Sequence, residues 1–140
     1  MRRIIASLGI AFTLSFGATL EEATIAYNKG DYQTTKTIFE DLASKGDATA
    51  QHNLGVMYDF GKGVKQDYFK AKEWYEKAAN QGHASAQNNL GTMYELGKGV
   101  KQDYFKAKEW YEKAANQGDA SAQNNLGTMY ELGKGVKQDY

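Results

Sequence analysis

Serine, histidine, lysine and carboxylate side chains could carry chemistry in this chain, and their spacing decides whether they do. A serine nucleophile of the penicillin-binding pattern needs a lysine three residues on. The residues three beyond Ser7, Ser15, Ser44, Ser85 and Ser121 are Ile10, Ala18, Asp47, Asn88 and Asn124. No serine stands in a Gly-x-Ser-x-Gly elbow. The absence of cysteine excludes thiolate nucleophiles, thiolate metal sites, disulfides and a lipid-modified N-terminal cysteine. Metal binding needs imidazoles or carboxylates that converge. The two histidines, His52 and His83, have no helical spacing between them. A solvated structural role is expected of both, with His83 at the start of a surface helix.

Three further patterns invite a functional reading, and each has a plainer one. Gly61-Lys62-Gly63 suggests a dinucleotide loop, but that motif needs a preceding strand and a third glycine, where this chain has Gln66. Trp74, Tyr75, Tyr104 and Phe105 lie near lysines, as in nucleic-acid stacking platforms. Helical spacing instead puts Trp74 and Tyr75 on a buried face. Glu73 and Glu76 could form a glycosidase pair, but they sit on a polar helix face beside lysines. These patterns assign no catalytic residue, no cofactor and no metal, and the chain is expected not to be an enzyme. Lysine plus arginine and aspartate plus glutamate number 17 each, a balance that does not favour a nucleic-acid partner.

The elements that position these groups follow from an internal repeat. Residues 55–90 and 91–126 differ only at Val56/Thr92, Asp59/Glu95, Phe60/Leu96 and His83/Asp119. Residues 91–104 recur unchanged as 127–140. Asp31-Tyr32, Asp67-Tyr68, Asp103-Tyr104 and Asp139-Tyr140 keep the same interval, so a more divergent unit precedes the near-identical ones. Within one unit Ala86, Leu90, Met93 and Tyr94 share a helical face, as do Ala71, Trp74, Tyr75, Ala78 and Ala79. Each unit therefore reads as two helices. First helices are expected near Leu20–Lys29, Ala48–Asp59, Ala84–Glu95 and Ala120–Glu131. Second helices are expected near Tyr32–Lys45, Tyr68–Gln81 and Tyr104–Gln117. Asp67 is the expected N-cap and Gly82 the expected stop of one second helix. Glu73 and Lys77 are expected to pair at i,i+4. One hairpin cannot bury both its faces, so hairpins stack, and the fold class is an all-α, right-handed α-solenoid.

The N-terminus has the layout of a secretory signal: Arg2 and Arg3, an apolar run from Ile4 to Phe16, and small residues at Ser15 and Gly17. An uncleaved anchor and a buried N-terminal helix are the alternatives. Cleavage after Gly17 would leave fifteen basic against seventeen acidic side chains, a net charge of −2, and no stable membrane span. The organisation expected is a signal over 1–17, a tetratricopeptide-like hairpin over 18–46, and units of 36 residues over 47–140, the last incomplete. The last first helix is expected to lack its hairpin partner, leaving Leu126 and Met129 poorly covered.

Leu54-Gly55-x-x-Tyr58, Leu90-Gly91-x-x-Tyr94 and Leu126-Gly127-x-x-Tyr130 match the tetratricopeptide signature, as do Ala71-x-x-x-Tyr75 and Ala107-x-x-x-Tyr111. The signature tryptophan is replaced by Gln51, Gln87 and Gln123. The unit Ala-Gln-Asn-Asn-Leu-Gly-x-Met-Tyr, with its Gly-Lys-Gly-Val loop and its Trp-Tyr-x-Lys-Ala-Ala second helix, closely resembles the Sel-one-like repeat family. The resemblance is strong over 47–140 and weak over 20–46. It implies a superhelical scaffold with a protein or peptide partner, in the periplasm or secreted, as bacterial members often are. A cysteine-rich branch has been described as penicillin-binding and β-lactamase-like. Its paired cysteines would fall on Ala79 and Gln87, and on Ala115 and Gln123, so that activity carries over poorly and stands as the alternative function.

The same resemblance places a concave lining on the first helices at Thr49, His52, Val56 and Asp59; Ser85, Asn88, Thr92 and Glu95; and Ser121, Asn124, Thr128 and Glu131. Each set forms one polar, mildly acidic stripe. Asn88, Thr92, Glu95, Asn124, Thr128 and Glu131 are the expected partner-binding residues, with an ordinary solvated face as the alternative.

Overall fold

The computed structural model describes residues 17–136, and among them lie seven α-helices and no strand. They are α1 Leu20–Asn28, α2 Tyr32–Ser44, α3 Ala48–Phe60, α4 Tyr68–Asn80, α5 Ala84–Leu96, α6 Tyr104–Asn116 and α7 Ala120–Leu132. Each expected boundary is met to within one residue, because the caps that set it are local. Asp31, Asp47, Asp67, Asp103 and Asp119 accept backbone N–H groups in the first turns of α2, α3, α4, α6 and α7. At the end of α4, Gly82 N–H donates to Ala79 O and His83 N–H to Ala78 O, the paired bonds of a Schellman stop. The basic start and the apolar run from Ile4 to Phe16 lie outside the described residues.

Helices pack mainly on their neighbours in sequence, α1 on α2, α2 on α3 and so on to α6 on α7. This is the quasi-one-dimensional layout of a solenoid. Three core clusters follow one another. The first holds Ile38, Phe39, Leu54 and Met57; the second Tyr75, Leu90 and Met93; the third Tyr111 and Met129. Gln51, Gln87 and Gln123 tie each first helix to the preceding second helix by donating to Ala43, Ala79 and Ala115 carbonyls at 3.2, 3.1 and 3.2 Å. The glutamine that replaces the signature tryptophan is thus a repeated hydrogen-bonded strut.

Two expectations are corrected. Met129 is fully buried and Leu126 is half-buried against the third cluster, because α6 covers that side of α7. The open side of α7 is instead the one carrying Gly127 and Tyr130. Lys77 does not pair with Glu73: its ammonium lies 4.6 Å from the centre of the Trp74 ring. The ion pair on α4 is Lys72–Glu76 at 3.3 Å. Trp74 is only half-buried, so its exposed face competes for the lysine three residues on.

Candidate functional site

The expected lining of the first helices divides into two kinds of surface. In α5, Asn88, Thr92 and Glu95 are half-buried and bonded within the chain. The Tyr111 hydroxyl donates to Glu95 Oε1 at 2.9 Å and lies 3.1 Å from Thr92 Oγ1. Asn88 Oδ1 accepts from Asn125 Nδ2 at 3.1 Å. In α7, Asn124, Thr128 and Glu131 are exposed. In α3, the Tyr75 hydroxyl donates to Asp59 Oδ2 at 3.0 Å. Burial, together with the facing carboxylate, pushes the Tyr75 and Tyr111 phenols well above their usual range, so both remain donors. Val56 lines a small cleft of about 170 Å³ with Tyr27, Phe39 and Met57.

The histidines are not separately solvated, contrary to expectation. His52 and His83 stack with ring centres 4.7 Å apart and planes at 24°. His52 Nε2 faces Asn89 Nδ2 at 3.0 Å and its Nδ1 faces Asn53 Oδ1 at 3.3 Å, a pattern that suits a neutral ring protonated at Nδ1. His83 caps α5, with its Nδ1 accepting from Ala86 N–H at 3.2 Å, so it too is neutral. Burial, then the neighbouring His83, push His52 down to about 4, and burial lowers His83 as well. The sequence hides this pair because His52 is inside one helix and His83 caps the first helix of the next unit. Among the described residues no three His, Cys, Asp or Glu side chains are grouped to hold a metal ion.

A different surface repeats more openly. Where each first helix turns through the Gly-Lys-Gly-Val loop into the second, the chain forms two equivalent grooves of about 660 and 640 Å³. Tyr58, Lys65, Phe69 and Lys70 line one; Tyr94, Lys101, Phe105 and Lys106 line the other. Gly99 belongs to both, so the grooves adjoin. Its φ is +66°, and a Cβ there would stand 2.7 Å from Tyr68 O, which leaves glycine as the residue that lets the loop seat on the preceding unit. Lysines lie over the tyrosine rings: Lys70 over Tyr58 at 5.3 Å, and Lys98 over Tyr68, Lys106 over Tyr94 and Lys134 over Tyr104 at 5.4 Å each. Phe69 and Phe105 are 71% and 69% exposed on the rims, unusual for such large apolar groups recurring in register. Of these residues the sequence singles out Phe105, as a stacking candidate, and the signature tyrosines Tyr58 and Tyr94. The signal available for the others was the unbroken repetition of Gln-Asp-Tyr-Phe-Lys.

A family model described as Sel1 repeat matches residues 48–83, 84–119 and 120–140. No curated protein sequence matches the chain. Among solved structures, a Sel1 repeat protein from Oxalobacter formigenes is 34% identical with a TM-score of 0.81, over 87% of this chain and 50% of that one. A protective antigen of uropathogenic Escherichia coli displaying an SLR fold is 39% identical with a TM-score of 0.75, over 84% of this chain and 28% of that one. The cysteine rich protein B of Helicobacter pylori shares the fold at 23% identity and a TM-score of 0.65, over 79% of this chain and 99% of that one. The chain thus spans half or less of the two more identical relatives. The helical order, the 36-residue unit and these matches agree: the chain belongs to the Sel1 repeat family and is an all-α, right-handed solenoid.

Proposed function

We propose that this chain is an exported scaffold that holds a protein or peptide partner in the bacterial envelope or outside the cell. Sel1 repeats generally mediate protein–protein interaction. The observation that carries the reading here is the pair of equivalent, adjoining grooves on the loop edge. A catalytic centre is one place with convergent reacting groups. Equivalent shallow grooves at a fixed interval suit a partner that runs along several units. A photo-crosslinking amino acid at Phe105 should give discrete protein adducts in an envelope extract, and one at Asn116 should not. Equal capture from both positions, or none from either, overturns the reading. Nitrocefin turnover by the purified chain would overturn its non-catalytic part.

The envelope setting in this proposal requires export. Export is read from the sequence alone: Arg2 and Arg3, the apolar run from Ile4 to Phe16, and the small residues Ser15 and Gly17. Among the described residues no helix is long and apolar enough to cross a membrane. Mature protein from an expressing bacterium should begin at Ala18 by N-terminal sequencing. Material that still begins at Met1 refutes cleavage.

A further inference from the structure

We infer that the loop edge recognises an acidic, aromatic-bearing peptide segment in extended form, a conclusion that rests on the scaffold reading and narrows it to one partner chemistry. The chain balances its charges overall, but the structure segregates them. On the second helices Lys36, Lys72 and Lys108 pair with Glu40, Glu76 and Glu112 four residues on, and of these Lys72 also borders a groove. At the loop edge Lys65, Lys70, Lys98, Lys101 and Lys106 have no carboxylate partner among the described residues. The acidic side chains within the grooves, Asp67 and Asp103, are occupied: each accepts two backbone N–H groups at 3.0 and 3.1 Å. Apart from Lys134, which meets Glu95 at 3.8 Å, and Lys72, which meets Glu76, the edge is therefore a row of cations with no ion-pair partner among the described residues.

The row also has an apolar component in the same register. Each lysine-bearing groove has a largely exposed phenylalanine on its rim, Phe69 on one and Phe105 on the other. Isolated cations suffice for a phosphate or a polyanionic chain. Cations alternating with exposed rings ask for carboxylates alternating with aromatic or aliphatic side chains, which is a property of peptides. The lysines that lie over Tyr58, Tyr68 and Tyr94 hold their ammonium groups over a ring and leave the other side open to a carboxylate. The grooves meet at Gly99. An extended strand can follow that continuous path across units with successive side chains reaching alternate walls.

The test uses the mature chain and fluorescent synthetic peptides read by anisotropy. The first probe repeats Glu-Glu-Phe-Glu; the controls replace Phe with Ser, or Glu with Lys. A single-stranded DNA of matched charge is the competing class. The first probe should bind at low salt and weaken steeply toward about 1 M salt, where charges are screened beyond about 3 Å. Reversing Lys65, Lys70, Lys101 and Lys106 to glutamate should weaken it about tenfold or more. Lys70 and Lys106 stand three residues after their helix caps, where glutamate is favourable, so this variant keeps its fold, as circular dichroism will check. Phe69→Ala with Phe105→Ala should remove the preference for the Phe peptide over the Ser peptide. Unchanged binding by the lysine variant, equal binding of the Phe and Ser peptides, or preference for DNA overturns the inference. If crosslinking from Phe105 still captures a discrete protein while the acidic peptide fails, the scaffold reading stands and this one falls.

Discussion

Gly91→Leu is expected to destabilise the protein by about 1–3 kcal/mol, the usual range for overpacking, while Gly127→Leu leaves stability unchanged or raises it by up to about 1 kcal/mol, the gain from removing a helical glycine. The two glycines occupy the same place in α5 and α7, whose sequences are identical. A Cβ at Gly91 would stand 2.5 Å from Cδ1 and from Cε1 of Tyr111, closer than packed atoms come. The ring has no easy retreat. Tyr111 is fully buried, and its hydroxyl is held by Glu95 and Thr92. Even Gly91→Ala should cost stability, against the rule that alanine improves a helix. At Gly127 a Cβ meets nothing within 4 Å. Urea or thermal unfolding followed by circular dichroism compares the two variants in one protein. Equal effects at the two sites would falsify the assignment of Gly91 as the point of close approach between α5 and α6.

Acid should weaken the fold between about pH 6.5 and pH 4, through the stacked histidines. An unfolded histidine titrates near 6.5, whereas His52 in the folded chain is pushed down to about 4. Between those values the unfolded chain binds the proton that the folded chain refuses, so falling pH favours unfolding. The contribution is fully present above the unfolded value and is lost as pH falls toward the folded one. A gap of this size corresponds to about 3 kcal/mol at roughly 1.4 kcal/mol per unit, a large part of the stability of a small domain. His83 is lowered in the same direction, and protonating its Nδ1 would remove the acceptor that caps α5. His52→Asn installs the residue found at the equivalent Asn88, whose Oδ1 accepts from Asn125 much as His52 Nε2 faces Asn89. The variant should lose markedly less stability than wild type across that window. Parallel pH profiles for the two proteins would sink the histidine account.

The close approach at Gly91 was legible, because Gly91 shares the face of Leu90 and Tyr94, and the structure adds the partner it meets, Tyr111. The histidine prediction turns on a neighbour that spacing does not supply. The helices, their ends and their stacking order were legible, because each cap acts within a few residues. Asp67 and Asp103 bond the N–H groups two and three positions on wherever the chain goes next. Gly82 closes α4 from its own backbone. The apolar faces of α4 and α5 were equally plain, since Ala71, Tyr75, Leu90 and Met93 lie at helical spacing and are all buried. The binding surface was less legible. Asn88, Thr92 and Glu95 were read as free polar groups, yet each contacts another helix of the same chain. Phe105 stood out only as a stacking candidate and its equivalent Phe69 not at all, because helical spacing does not show which aromatic beside a helix start stays exposed.

The identical helices α5 and α7 separate the two contributions. From the sequence alone both are helices of about twelve residues with the same apolar face, and in the structure both run thirteen residues to an αL glycine. Those properties depend on dihedral preferences and hydrogen bonds within one or two turns. Burial belongs to the neighbour: Gln87 and Gly91 are buried under α6, while Gln123 and Gly127, the same residues in the same sequence, are exposed. The stacking of His52 on His83 and the meeting of two grooves at Gly99 are likewise contacts between units. Periodicity predicts that units stack, but the side chains that meet depend on how far each is turned against the next, and that rotation is set by packing across the whole interface.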